Sequence, residues 1–238
     1  MQEKTAYELQ QAYEELDQFC HTLSHDIRAP LYVIHQLAEL LQNEIRKGNM
    51  EEAETICGML SDKASQAASM TEGLHRFSRA FYEQLNRQSV DMNRLFDEVF
   101  DELSMLEKNR IIQFDRKDMP EAWADPVLLK VVIQNVLSNA IKFTRNRNVA
   151  RICAEAVETD TEICYSVTDN GIGFDEQYSD EVFRLFGRVN ISEDFEGDGI
   201  GMATVKRIMF RHGGDVKITS RPGEGASVRL ILPRREQV

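Results

Sequence analysis

From Ala6 the apolar residues fall at Ala6, Leu9, Tyr13, Leu16, Cys20, Leu23 and Ile27, in alternating steps of three and four. This is the seam spacing of a coiled coil, and a long helix that carries it needs a partner along its whole length. A polar break follows at Arg46, Lys47, Gly48 and Asn49. A second seam then runs through Ile56, Leu60, Ala67, Met70, Leu74, Phe77 and Phe81, interrupted at Lys63. Two such helices joined by a short loop make a helical hairpin. One hairpin buries only part of both stripes, so the expected solution is a homodimer, with two copies pairing into a four-helix bundle on residues 1–86.

Beyond about Arg87 the pattern changes to mixed helix and strand. Helix is predicted near Met92–Glu107, strands near Ile111–Phe114 and Ala122–Ala124, and a strong helix over Pro126–Phe143. Pro126 suits the first helical turn, where its missing N–H costs nothing. ARICAEAVE and TEICYSVTD read as a strand hairpin, and a glycine-rich stretch, a helix near Gly201–Arg211 and the strands DVKITS and SVRLIL close the chain. The expected architecture is an α+β layer with helices on one face of a mixed sheet.

Composition narrows the function classes. Lys and Arg total 28 against 40 Asp and Glu, a formal net charge of -12 over 238 residues, which disfavours broad contact with a nucleic-acid backbone. There is no apolar run long enough to span a membrane and no signal pattern at the N-terminus. Cys20, Cys57, Cys153 and Cys164 are widely spaced, as expected of reduced cytoplasmic thiols rather than of a disulfide framework or zinc site.

Several short segments carry chemistry. In SHDIRAP, residues 24–30, His25 falls two places after the seam residue Leu23 and so projects away from the seam. Neutral imidazole is a capable nucleophile, and Asp26 beside it can fix the tautomer or accept the proton. Pro30 removes a helical hydrogen bond and predicts a kink one turn from His25. In VVIQNVLSNAIKFT, Asn135, Asn139 and Lys142 share one stripe of an otherwise apolar helix, where amide oxygens suit Mg²⁺. DNGIGF sets Asp169 before Gly171 and Gly173, an acid able to accept from an adenine amino group beside glycines that admit a close backbone. GDGIGM places Gly197, Gly199 and Gly201 ahead of a helix, whose free N–H groups favour phosphate. VFRLFGR contains Phe183, Phe186 and Arg188, and the stretch from Gly187 to Asp198 reads as a flap over a ligand. Each has a plainer alternative when taken alone: a solvated surface histidine, two solvent-facing asparagines, an ordinary turn and two core phenylalanines.

Together and in this order, these segments resemble the boxes of the sensor histidine kinase family. SHDIRAP resembles its H box, QNVLSNAIKFT its N box, DNGIGF its G1 box, VFRLFGR its F box and GDGIGM its G2 box, so the resemblance spans roughly His21 to Pro233. It implies a dimerisation and phosphotransfer domain over residues 1–86. It further implies a catalytic domain over residues 88–238, an α/β sandwich of the gyrase, chaperone and histidine kinase type. Its cofactors would be ATP and Mg²⁺, and its partners a second copy, a response regulator receiver domain and an upstream sensor domain in a longer parent. By the same resemblance His25 is the phosphoacceptor and Asp26 its adjacent acid. Asn139 binds Mg²⁺, Asn135 and Lys142 lie near the phosphates, and Asp169 reads the adenine amino group. Gly171, Gly173, Gly199 and Gly201 shape the pocket and lid hinges, and Arg188 contacts phosphate or anchors the lid.

The sequence departs from the family pattern at Ala29, where relatives carry a hydroxyl or amide that orients water, so phosphatase activity toward the regulator is expected to be weak. The flap is also short. Two other readings are a phosphotransfer scaffold with a decayed ATP domain and a clamp ATPase of the gyrase type. Intact Asn139, Asp169 and glycines argue against the first, and SHDIRAP against the second. Membrane attachment of a longer parent is left open.

Overall fold

The computed structural model describes residues 31–82, 84–107, 110–187, 189 and 199–234. The first seam lies outside them, as do His25, Asp26, Ala29, Arg188 and most of the segment to Asp198. The side chains of Met70, Leu74, Phe77 and Phe81 in the second seam are likewise outside. The chain divides into two compact units, one up to Leu74 and one from His75 onward.

The first unit holds helix α1, residues 31–47, and the part of α2 (Met50–Tyr82) up to Leu74. The break falls where the polar residues cluster. Gly48 takes a left-handed φ of 78°, and the N–H groups of Gly48 and Asn49 return to the carbonyls of Ile45 and Glu44, closing the last turn of α1. The buried Glu44 carboxylate accepts from Lys47 Nζ at 2.6 Å and Asn49 Nδ2 at 3.2 Å. Glu51 and Glu52 sit in the first turn of α2, where the helix dipole favours negative charge. Of the second seam, Ile56 is buried while Leu60 and Ala67 are half-buried.

In the second unit, β1 (Gln88–Val90) pairs antiparallel with β3 (Ala122–Ala124), apart from the main sheet. Helix α3 (Met92–Ser104) is capped by Asp91, whose carboxylate accepts from Arg94 N, and it buries Met92, Leu95, Phe96 and Val99 at helical spacing. It ends one turn before the expected Glu107. Met105 and Leu106 are 73% and 79% exposed, so a further turn would gain no burial. Strand β2 (Ile111–Arg116) follows, then α4 (Pro126–Phe143), β4 (Val149–Glu158), β5 (Glu162–Asp169), two short 3₁₀ turns (Glu176–Tyr178 and Glu181–Phe183), α5 (Gly201–Arg211), β6 (Asp215–Arg221) and β7 (Gly225–Pro233).

The five-stranded sheet has the order β2-β4-β5-β7-β6, with β2 and β4 parallel and every other pair antiparallel. Period-two alternation buries one face: Ala150, Ile152 and Ala154 of β4, Ile163, Tyr165 and Val167 of β5, Val228, Leu230 and Leu232 of β7. Helices α4 and α5 pack on that face, and α3 packs on α4. The expected helix layer on a mixed sheet is thus the observed one. Burying each such Leu, Ile or Val contributes about 1.5–3 kcal/mol, which is why the apolar face rather than the loops sets this layer.

A buried polar joint ties the start of α4 to the end of α5. Asp125 caps α4, its Oδ1 accepting from the N–H groups of Val127 and Leu128, while Oδ2 accepts from Asn86 N at 2.9 Å. Its own N–H donates to Nε2 of His212 at 3.0 Å, and His212 Nδ1 lies 2.8 Å from the carbonyl of Ile208. The imidazole is therefore neutral, with its proton on Nδ1. His212 is 2% exposed, and burial pushes its pKa below the usual histidine value. The unfolded chain binds this proton more readily, so the joint contributes its full stability above about pH 6.5 and loses it as pH falls toward the folded pKa. His212→Gln should remove that dependence, with the parent losing up to about 1.4 kcal/mol per pH unit relative to the variant below pH 6.5. Urea unfolding followed by Trp123, the single tryptophan, reads this region directly. Identical pH profiles for the two proteins would refute it.

Candidate functional site

Helix α4 is the spine of the candidate site. Its apolar positions Leu129, Val132, Ile133, Val136, Leu137, Ala140 and Ile141 are buried, which leaves Asn135, Asn139 and Lys142 on a half-buried stripe. With a rise of 1.5 Å per residue, that stripe spans about 10 Å.

Each end of the stripe meets one of the glycine segments. At the near end Gly201 abuts Asn135: a Cβ on Gly201 would lie 2.5 Å from Asn135 Oδ1. The Asn135 amide donates to the carbonyl of Val131 at 2.7 Å. At the far end Gly171 abuts the last turn of α4, where an added Cβ would lie 2.7 Å from both the Phe143 carbonyl and Asp169 Oδ1. Ile172 N donates to the same Phe143 carbonyl at 3.1 Å. Asn139, between these ends, makes no side-chain hydrogen bond among the described residues. Lys142 lies over the Phe143 ring at 4.3 Å.

Asp169 closes β5. Its Oδ1 accepts from Gly171 N at 2.7 Å. Burial raises its pKa to about 6, opposed by the main-chain N–H groups of Gly171 and Ala226 and by the charge of Arg147. The carboxylate is still mostly ionised at neutral pH and keeps acceptor capacity beyond these two N–H groups. The turn after it depends on glycine. Gly173 has φ of 59°, and a Cβ there would come within 1.9 Å of the Arg221 carbonyl.

The second glycine segment leads into α5, whose N-cap residue Ile200 makes no side-chain capping bond. Gly199, at φ of 70°, packs on the F-box turn: its Cβ would lie 2.7 Å from Phe186 Cα. Phe186 itself has φ of 59°, a conformation rare outside glycine. Phe183 is buried in the second 3₁₀ turn with Lys206 of α5 at 5.4 Å from its ring.

Of the sequence-predicted residues, Asn135, Asn139 and Lys142 lie on α4, Gly201 and Gly171 abut its Asn135 and Phe143, Gly173 packs against Arg221 and Gly225, and Gly199 packs on the Phe186 turn. His25, Asp26 and Arg188 lie outside the described residues. Sequence reasoning missed Arg147, whose guanidinium binds the carbonyls of Asn170, Gly171 and Gly223. An arginine aimed at main-chain oxygens leaves no motif, because its partners have no side-chain identity. Asn170, read only as part of a turn, extends the sheet: its Oδ1 accepts from Arg151 N and its Nδ2 donates to Val149 O.

Residues 124–236 match the family model described as "Histidine kinase-, DNA gyrase B-, and HSP90-like ATPase". Cyanobacterial phytochrome A of Nostoc sp. (strain PCC 7120 / SAG 25.82 / UTEX 2576) is 26% identical over 96% of this chain, which spans 30% of that protein. Adaptive-response sensory kinase SasA of Synechocystis sp. (strain ATCC 27184 / PCC 6803 / Kazusa) is 28% identical over 97% of this chain, which spans 62% of it. Among solved structures, full-length ShkA in complex with AMPPNP superimposes with a TM-score of 0.58 at 26% identity, covering 89% of this chain and 44% of ShkA. Among the described residues no helix is long and apolar enough to cross a membrane.

Proposed function

We propose that this chain, which carries the catalytic domain of a sensor histidine kinase, uses Mg-ATP to phosphorylate its own His25 and passes the phosphoryl group to an aspartate of a response regulator. The observation that carries this reading is the arrangement along α4: a stripe of two amides and a lysine, with the Gly201 segment at one end and the Gly171 turn bearing the half-buried Asp169 at the other. That layout suits a nucleotide whose base meets Asp169 and whose phosphates meet Asn135, Lys142 and the start of α5.

The residues fit a magnesium ion of the kind that travels with a nucleotide. Asn139 offers an amide oxygen that no described residue occupies, and the described residues contain no cluster of three or more His, Cys, Asp or Glu able to cage a metal. Mg²⁺ commonly takes one or two protein oxygens and completes its shell with phosphate and water. When bound it would neutralise charge on the triphosphate. The chain's own groups would do the rest. Asp169 orients the base, Asn135, Lys142 and the α5 N–H groups hold the phosphates, and Gly171, Gly173, Gly199 and Gly201 keep the walls close. Arg188 contacts a phosphate or anchors the flap. A ring nitrogen of His25 attacks the γ-phosphorus, a P–N bond forms as the bond to the β-phosphate oxygen breaks, ADP leaves, and Asp26 takes the imidazole proton.

In this reading residues 1–86 dimerise and present His25, and residues 88–238 supply the nucleotide. With Ala29 four residues after His25, where relatives carry a hydroxyl or amide that orients water, the enzyme is kinase-biased. The test is incubation with γ-labelled ATP and magnesium. Label on the protein should survive base and be lost in acid, as a phosphoramidate is. Acid-stable label would place the phosphoryl group on an oxygen and overturn the assignment.

A further inference from the structure

We propose that Arg147 is a positioning residue of the nucleotide site: it binds three main-chain carbonyls from two separate loops and so holds the turn that carries Asp169 in the geometry that receives adenine. This deepens the reading above and rests on it for the identity of the ligand.

Arg147 sits in the turn after α4, with its own N–H donating to the Thr144 carbonyl at 2.9 Å, so its base is fixed to the end of the spine helix. Nε donates to the Asn170 carbonyl at 2.7 Å, and Nη2 to the carbonyls of Gly171 at 2.8 Å and Gly223 at 2.5 Å. The first two belong to the turn after Asp169, and the third to the connection between β6 and β7. A planar guanidinium forks to such divergent acceptors, whereas an ammonium is a single point.

The rest of the turn already has partners. Asn170 N donates to Arg151 O, Gly171 N to Asp169 Oδ1 and Ile172 N to Phe143 O, while the Ile172 carbonyl accepts from Gly223 N at 2.6 Å. Among the described residues only Arg147 reaches the carbonyls of Asn170 and Gly171. Contact on the other side is equally tight, since Gly171 has no room for a Cβ between Phe143 and Asp169. The turn is therefore held from both sides, by main chain at Phe143 and by side chain at Arg147. Asp169 points where it does because Gly171 N holds one of its oxygens. The charge of Arg147 also helps keep Asp169 ionised.

The test uses the full chain, its Arg147→Met and Arg147→Lys variants, and two ligands: ATP and purine riboside triphosphate, which lacks the 6-amino group. The parent should prefer ATP by roughly tenfold or more, the loss expected when a buried acceptor loses its donor. Loosening the turn should weaken ATP much more than the analogue, so the preference should shrink to about threefold or less in Arg147→Met and be partly restored in Arg147→Lys. The KM for ATP should rise while kcat at saturation stays near the parent value. An Arg147→Met protein that keeps the parent's preference, or that weakens both ligands equally, overturns the role and leaves the nucleotide reading intact. A parent that binds neither ligand, or binds both alike, overturns the assignment of Asp169 to the amino group and this inference with it.

Discussion

Asp169→Asn is expected to weaken ATP binding at least about a hundredfold while the domain stays folded. The carboxylate has two oxygens, and Oδ1 is already held by Gly171 N at 2.7 Å. In the variant the single amide oxygen best satisfies that N–H, which turns the NH₂ group toward the incoming adenine amino group. Donor then faces donor in a half-buried place, and the mismatch costs about 3 kcal/mol, or roughly a factor of 100. The exchange also removes a carboxylate whose charge is disfavoured by burial, so the variant should unfold no more easily than the parent. Calorimetric titration with ATP in the presence of magnesium measures the first expectation and a urea transition the second. An unchanged Kd would remove Asp169 from the site.

His25→Gln should reduce protein labelling from γ-labelled ATP to background, a loss of at least about 10³-fold, because glutamine has no nucleophilic nitrogen to replace imidazole. ATP affinity should not change, which separates this variant from Asp169→Asn. Two other histidines sharpen the comparison. His212 is buried with both ring nitrogens engaged and cannot be the acceptor. His35 is exposed on α1, with Nδ1 4.0 Å from the carboxylate of Glu39. His35→Gln should label as the parent does. Full labelling of His25→Gln together with loss in His35→Gln would move the phosphoacceptor to His35.

Much of the second unit was legible from residue pattern. The span Pro126–Phe143 is a helix from end to end because three local signals agree: the Asp125 cap, Pro126 in the first turn and a continuous apolar face. The helix Gly201–Arg211 and the strand pair over Val149–Asp169 were equally plain, since their periods of 3.6 and 2 persist through whole elements. Agreement was poorer at the end of α3. Met105 and Leu106 extend its apolar run in sequence, yet they meet solvent rather than the core. A periodicity says which residues share a face but not how far the opposing layer reaches.

The candidate site divides along the same line. The sequence by itself determined which side chains stand together in each segment, because side-chain identity and spacing are local: an acid before two glycines, and amides and a lysine on one helical stripe. Only the tertiary structure decided what each segment rests against. The parallel pairing of β2 with β4, the approach of Gly201 to Asn135 and of Gly171 to Phe143, the bond from Asp125 N to His212, and the reach of Arg147 to three carbonyls all join residues distant in the chain. Most of these contacts end on main-chain atoms, which every residue carries alike. No choice of side chain at the receiving position records them, and they exist only once the layers have packed.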